Sequence, residues 1–152
     1  MKIMFVCTGN TCRSPMAEGF MRKLCENSLI DISVISRGLA VVPKSNVSIN
    51  SVIAAKKFDV DINNHVPTQL NECDIASADI VFGVTEAHKY FIVSKFPQYV
   101  DRVYSISEFS QSGDIADPYG CDEKTYIQCA GQLHDAVKKI FEKIVDRNAD
   151  NI

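Results

Sequence analysis

The sequence predicts an α/β fold, a single domain of three layers in which a four-stranded parallel sheet is flanked by helices on both faces. Short apolar or β-branched runs alternate along the chain with segments of helical periodicity. Right-handed crossovers join such elements, which makes the sheet parallel and places helices against both of its faces. The length of 152 residues suits one domain with one core, and no internal repeat divides it.

A short polar loop separates the first strand from the first helix. The apolar run over residues 3–7 ends at Cys7 and is typical of a buried strand. We expect Ser14 to cap the following helix and Pro15 to be its first residue, because serine and proline favour these positions. The helix then extends over residues 15–27.

The remaining elements follow from the same periodicities. We predict strands over 32–36, 78–84 and 100–106. We predict helices over 47–58, 86–95 and 123–147. The segments 39–46, 59–71 and 110–114 are expected to be irregular. The domain is therefore predicted to span residues 1–147, with a frayed tail at 148–152.

Composition and charge exclude several classes of protein. The formal net charge of -3 argues against a nucleic-acid partner, which would favour a basic face. No apolar run approaches the length that spans a membrane, so we expect no membrane partner. The apolar start, residues 1–6, is too short for a secretory signal and lacks a cleavage site. We therefore expect a cytoplasmic protein.

Six cysteines are present, and none of them forms a Cys-x-x-Cys pair. A structural zinc site is therefore not expected, and a disulfide framework would require a secreted protein. We expect Cys25, Cys73 and Cys129 to be small buried apolar side chains.

The loop after the first strand has the composition of a reactive anion site. A loop of this length can turn its N–H groups towards one tetrahedral anion at a helix N-terminus. Arg13 adds a planar fork that matches two phosphate oxygens. Cys7 would face the phosphorus as a thiolate favoured by the positive surroundings, with a hydrogen bond from Ser14. The expected phosphate-binding residues are Thr8, Gly9, Asn10, Thr11, Cys12 and Ser14.

This arrangement suits displacement at phosphorus by sulfur, followed by hydrolysis of the phosphocysteine. Asn10 tolerates a left-handed backbone and would hold the loop open. The leaving group needs an acid, and Asp117 before Pro118 is the best candidate, with Asp114 as a poorer rival. The alternative for Cys7 is a core cysteine beside a helix cap.

Two stretches, Val6–Glu18 and Asp117-Pro118-Tyr119, resemble the low-molecular-weight protein-tyrosine phosphatases, and the similarity in length and element order covers essentially the whole chain. The resemblance implies Cys7 as nucleophile, Arg13 as phosphate clamp and Asp117 as acid and then base. It implies phosphorylated proteins or peptides as partners, an oxyanion in the loop, and no metal or cofactor. Cys12 corresponds to the family's second loop cysteine, which can form a reversible disulfide with the nucleophile.

The resemblance leaves two substrate classes open. Phosphotyrosine is the default of the family, and the loop is also similar to the bacterial branch that acts on phosphoarginine in proteins. Thr11 lies where tyrosine-directed members usually carry a bulkier aliphatic residue, so it is expected in the substrate wall with Tyr119 and Leu39. Tyr119 could stack on either a phenyl or a guanidinium group.

Two other functions are compatible with parts of this pattern. Thioredoxin-coupled arsenate reductase shares the opening motif but needs further cysteines near the end of the third strand, where residues 82–88 contain none. A non-catalytic phosphate-binding module would not need Cys7, Arg13 and Asp117 together. His65 and His88 could tune the site, although isolated histidines are more often structural or solvated, and His134 is expected to be structural.

Overall fold

The fold is a four-stranded parallel sheet with helices on both faces, seen in a computed structural model that describes residues 1–149. The strand order is β2-β1-β3-β4, so β1 lies between the second and third strands. The predicted fold class is therefore confirmed. The strands are β1 Lys2–Cys7, β2 Ser33–Gly38, β3 Ile80–Gly83 and β4 Val103–Ser105.

Six α-helices complete the described residues, and four of them were predicted. The helices are α1 Arg13–Glu26, α2 Ile49–Lys56, α3 Glu72–Ser77, α4 Glu86–Lys95, α5 Ile106–Ser110 and α6 Glu123–Ala149. The two unpredicted helices, α3 and α5, have only six and five residues. Each begins with a capping box, Asn71 with Asp74 and Ser105 with Glu108, which satisfies N–H groups that so short a helix leaves free.

The predicted fourth strand over 100–106 needs correction. Pro97–Arg102 forms a 3₁₀ helix, and only Val103–Ser105 pairs with β3. Proline favours the first position of a helical turn, so the chain after α4 turns again instead of extending. β4 is thus a short strand at the edge of the sheet.

The predicted start of α1 also needs correction. The helix begins at Arg13 with Cys12 as its N-cap, and no side chain caps it. The Ser14 hydroxyl, expected to be the cap, lies 2.9 Å from the sulfur of Cys7. The Ser14 hydroxyl therefore contacts Cys7, the last residue of β1, and does not cap α1.

The two faces of the sheet bury separate apolar clusters, as three layers require. Because side chains alternate along a strand, Ile3 and Phe5 point to one face while Met4 and Val6 point to the other. Helices α1, α2, α5 and α6 cover the first face, and α3 and α4 cover the second.

The cysteines outside the loop differ in burial. Cys129 is buried in α6, and burial raises the pKa of its thiol to about 12. Cys25 is only partly buried, and Cys73 is exposed on α3. The expectation of a buried Cys73 is wrong, because α3 turns this side chain outward while Ile75 enters the core.

The C-terminal helix is longer than predicted. It runs to Ala149, so the first two residues of the predicted tail belong to α6. Residues 150–152 of that tail lie outside the described part of the chain. His134, on the same helix, stacks on Phe58 with ring centroids 4.8 Å apart, which agrees with a structural role.

Candidate active site

The loop between β1 and α1 lies at the carboxyl edge of the sheet, where parallel α/β folds bind ligands. Cys7 ends β1 and is paired in register with Gly38 of β2. A Cβ at Gly38 would lie 2.9 Å from the carbonyl oxygen of Thr8 and 3.0 Å from Cβ of Asn10. The glycine therefore lets the loop pack directly against the neighbouring strand.

Asn10 holds the loop in shape through its backbone and its side chain. Its φ of 57° is left-handed, as the sequence predicted, and the residue is fully buried. The amide nitrogen donates to Ser14 Oγ at 2.8 Å and to Ser36 Oγ at 2.9 Å. The amide oxygen accepts from the backbone N–H of Thr68 at 2.9 Å, which fixes the orientation of the amide.

The hydrogen bonds continue from Asn10 towards α1. Ser36 Oγ donates to Glu18 at 2.5 Å, and Nε2 of His65 lies 3.1 Å from both oxygens of Asn10. Because the Asn10 oxygens only accept, His65 carries its proton on Nε2. Burial lowers the pKa of His65, against the opposing charge of Glu18. His65 thus supports the loop as a neutral donor.

Ser14 joins this network to the sulfur of Cys7. Ser14 Oγ accepts from Asn10 and lies 2.9 Å from Cys7 Sγ, with its next acceptor, the carbonyl of Arg37, at 3.4 Å. Its own proton is therefore directed to the nearer sulfur when Cys7 is a thiolate. Both residues are buried, which strengthens such a bond.

Arg13 and Asp117 meet above the loop. The guanidinium of Arg13 is buried, donates to the carbonyl of Ile115 at 3.0 Å and lies 3.4 Å from Oδ2 of Asp117. The Asp117 side chain remains 54% exposed, so it can be reached from solvent. Asp114 instead accepts from the backbone N–H of Glu86 at the start of α4. The structure thus places Asp117, and not its rival, beside the loop.

The sequence of this chain and the way it folds both match one known family. The profile described as "Low molecular weight phosphotyrosine protein phosphatase" matches residues 2–150. The chain belongs to this family. Its class is therefore that of cysteine-dependent protein phosphatases, as the opening motif suggested.

Relatives of this phosphatase carry two kinds of name. The protein-arginine-phosphatase of Bacillus subtilis is 34% identical over 95% of this chain and 97% of its own. The protein-tyrosine-phosphatase PtpB of Staphylococcus haemolyticus is 37% identical over 92% of this chain and 97% of its own. The solved structure of YwlE arginine phosphatase from Geobacillus stearothermophilus is 31% identical, with a TM-score of 0.92 over 99% of this chain and 97% of its own.

A cleft of about 770 Å³ opens above the loop in this phosphatase. Thr11 and Tyr119 both line it, and Tyr119 is the most exposed of the predicted wall residues. Leu39 is not among the lining residues, because it packs against the cluster on the second face of the sheet. Ala40 and Val42 line the cleft from the same segment.

Sequence reasoning missed Tyr126 altogether. Its ring reaches the cleft from α6, and its hydroxyl lies 3.6 Å from the sulfur of Cys12. Burial raises the pKa of this phenol to about 12, so it remains protonated. A tyrosine on the apolar face of a helix gives no sequence signal beyond that of a core residue.

The described residues also bear on metal binding and membrane insertion. Within residues 1–149, no cluster of three or more His, Cys, Asp or Glu side chains is arranged to hold a metal ion. Among the described helices, none is long and apolar enough to cross a membrane.

Proposed function

We propose that this phosphatase hydrolyses phosphorylated protein side chains with Cys7 as nucleophile, Arg13 as phosphate clamp and Asp117 as general acid. One observation supports these roles: all three side chains line the same cleft. A non-catalytic phosphate-binding module would not need a carboxylate 3.4 Å from its arginine, because that carboxylate repels the anion.

The first step is attack of the Cys7 thiolate on phosphorus. The S–P bond forms as the bond from phosphorus to the leaving atom breaks, and Asp117 gives that atom a proton. The loop N–H groups over residues 8–13 and the Arg13 fork stabilise charge on the non-bridging oxygens. In the second step Asp117 takes a proton from water, which attacks phosphorus and releases Cys7.

Phosphotyrosine is the substrate class that we propose first. A phenyl ring can lie against Val42 and Tyr119, which line the cleft on its open side. Tyr119 is 80% exposed, so its face is available for stacking on such a ring. The staphylococcal relatives named protein-tyrosine-phosphatase support this choice.

Phosphoarginine is the second candidate, and Thr11 favours it. The Thr11 side chain lines the cleft, with its hydroxyl 3.5 Å from the sulfur of Cys12. A hydroxyl can accept a hydrogen bond from a guanidinium, which an aliphatic side chain cannot. Relatives named protein-arginine-phosphatase match this chain over nearly its whole length.

One experiment separates these substrates and tests the nucleophile. Rates on matched phosphotyrosine and phosphoarginine peptides are compared for the natural chain, Thr11→Ile and Thr11→Ser. Thr11→Ile should lose phosphoarginine turnover relative to phosphotyrosine, while Thr11→Ser keeps the hydroxyl and the original preference. An unchanged preference in Thr11→Ile would remove Thr11 from this role. Cys7→Ser should abolish turnover of both peptides, and retained turnover would reject Cys7 as nucleophile.

We also propose that Cys12 protects Cys7 from over-oxidation in the cytoplasm. Both thiols are free and line the same cleft. A peroxide oxidises Cys7 to a sulfenic acid, and the Cys12 thiol displaces water from it to form a disulfide. After peroxide treatment, a thiol reductant should restore the natural chain but not Cys12→Ser. Equal recovery of both would reject this role.

A further inference from the structure

His88 contacts the loop between β1 and α1, although Thr8, its partner there, lies 80 residues earlier in the chain. His88 is 6% exposed, and its Nε2 lies 3.1 Å from the hydroxyl oxygen of Thr8. A Cβ at Gly83, the last residue of β3, would lie 2.6 Å from the backbone nitrogen of Lys89 and 3.1 Å from Cβ of His88. The glycine therefore allows the first turn of α4 to approach the sheet closely enough for this contact.

The direction of the hydrogen bond follows from the other ring nitrogen. The backbone N–H of Thr85 donates to Nδ1 of His88 at 3.1 Å, as part of the capping box of α4. Because Nδ1 accepts, the proton of the neutral ring is on Nε2. Nε2–H is then the donor, and the oxygen of Thr8 is the acceptor.

The pKa of His88 agrees with a neutral ring that donates from Nε2 to Thr8. Burial and the charge of Arg13 lower the pKa of His88 to about 4, while Asp117 and Asp114 act against them. The ring is therefore neutral at neutral pH. Nδ1 lies 3.1 Å from both the backbone nitrogen and the hydroxyl oxygen of Thr85, and a proton on Nδ1 would oppose the N–H that it accepts from.

We propose that His88 is a positioning residue that turns the Thr8 hydroxyl so that its proton is donated to the phosphoryl group. Thr8 follows the nucleophile, is exposed and lines the cleft. With an oxygen lone pair occupied by His88, its hydroxyl proton points away from the ring and is available to an oxygen of the bound anion. The inference rests on the proposed function, because the anion it serves is the phosphoryl group of the substrate.

Two substitutions of His88 separate positioning from helix capping. In His88→Asn the amide oxygen can replace Nδ1 as the acceptor for Thr85, but the donor to Thr8 is lost. In His88→Gln the longer side chain can place an amide donor near Thr8, but the cap is lost. If His88 only caps α4, His88→Asn should be more active and bind phosphate more tightly than His88→Gln. If His88 positions Thr8, His88→Gln should be the more active and tighter-binding variant.

The measurements are kcat/KM on an aryl phosphate and the dissociation constant of inorganic phosphate. We expect kcat/KM to be about tenfold lower, and the dissociation constant about tenfold higher, in His88→Asn than in His88→Gln. The affected hydrogen bond is made to a charged group, which gives an effect of this size. Equal losses, or a better His88→Asn, would overturn the inference. The phosphate titration requires no turnover, so failure of the proposed function and failure of this inference can be told apart.

A double-mutant cycle covers the case in which His88→Gln does not fold. Thr8→Val removes the hydroxyl that His88 is proposed to orient. If His88 acts through that hydroxyl, His88→Asn should have almost no further effect on phosphate affinity in the Thr8→Val background. Additive losses would show that His88 acts on the site by another route.

Discussion

The hydroxyl of Ser14 lies 2.9 Å from the sulfur of Cys7, with both residues buried at the junction of β1 and α1. Asn10 donates to the same hydroxyl, so the Ser14 proton is directed to the nearer sulfur when Cys7 is a thiolate. A serine at the N-cap would instead use its side-chain oxygen to accept a hydrogen bond from a backbone N–H of the helix. In this structure Cys12 occupies the N-cap of α1 without a side-chain hydrogen bond, and the Ser14 hydroxyl contacts the Cys7 sulfur instead.

Ser14→Ala should lower kcat about tenfold, because a hydrogen bond to a charged group contributes about 1.5–3 kcal/mol. Alkylation of Cys7 by iodoacetate should slow as well, since the thiolate loses its donor. Ser110→Ala is the matched control, because Ser110 is also buried and donates to a helix carbonyl, that of Ile106. Similar losses of activity in the two variants would contradict a role for the Ser14 hydroxyl at the sulfur.

Asn10 should contribute to stability through its backbone as well as its side chain. Asn10→Gly and Asn10→Ala both remove the amide bonds to Ser14 and Ser36. Asn10→Ala should cost about 1–2 kcal/mol more in urea unfolding, because only glycine adopts the left-handed backbone freely.

Gln111 provides a control for Asn10, since its φ of 56° is also left-handed and it lies outside the cleft. Gln111→Ala should be less stable than Gln111→Gly by a similar amount. At Gln111, however, the change to glycine should not destabilise the protein, whereas Asn10→Gly should. Equal stability of Asn10→Gly and the natural chain would show that the amide bonds contribute little.

Asp117→Asn should slow hydrolysis most for substrates with poor leaving groups. General acid catalysis contributes about 10²- to 10⁴-fold, and a nitrophenolate needs little of it. Rates on phenyl phosphate and on p-nitrophenyl phosphate should therefore diverge in this variant. Asp114→Asn, which changes a carboxylate bonded to the start of α4, should leave their ratio unaltered. An equal loss on both substrates in Asp117→Asn would argue against its role as acid.

The residues from Cys7 to Ser14 could be singled out in the sequence because they are contiguous and their spacing suits the binding of one anion. Roles of His65 and His88 could not be assigned, because their partners Asn10 and Thr8 lie 55 and 80 residues away. From the sequence, both histidines were possible contributors to the site. Nothing in the sequence distinguished that role from a structural or solvated one. Only the packing of the elements around the loop brings them together.

The short helices α3 and α5 were missed for a different reason. Five or six residues contain too few turns for an apolar periodicity to be recognised. Their capping boxes, however, are visible as Asn71 followed by Asp74 and Ser105 followed by Glu108. In this chain a polar pair spaced by three residues was a better signal of a short helix than hydrophobicity.

Outside the loop between β1 and α1, cysteine reactivity should follow exposure. Iodoacetamide at pH 8 should label the exposed Cys73 and Cys121 rapidly. Cys129 should remain unlabelled in the folded protein, because it is buried and the high pKa of its thiol leaves almost no thiolate. Mass spectrometry of digested samples distinguishes the sites, with urea-unfolded protein as the control. Labelling of folded Cys129 at the rate of Cys73 would contradict the packing of α6.

His88 should make the fold less stable as the pH falls from about 6.5 to about 4. In the folded chain the pKa of His88 is lowered from 6.5 to about 4, so between these values the unfolded chain binds a proton that the folded chain does not. Stability must then decrease with falling pH over this window, and the His88 contribution is complete above it. His65, also held neutral by burial, acts in the same direction.

A comparison with His88→Gln isolates the contribution of His88, because His65 and the carboxylates remain in both proteins. The free energy of unfolding in urea is measured for each at intervals from pH 7.5 to pH 4. The natural chain should lose more stability than His88→Gln on acidification, so the difference between their stabilities should shrink or change sign. Parallel curves would mean that His88 is protonated as readily in the fold as in the unfolded chain.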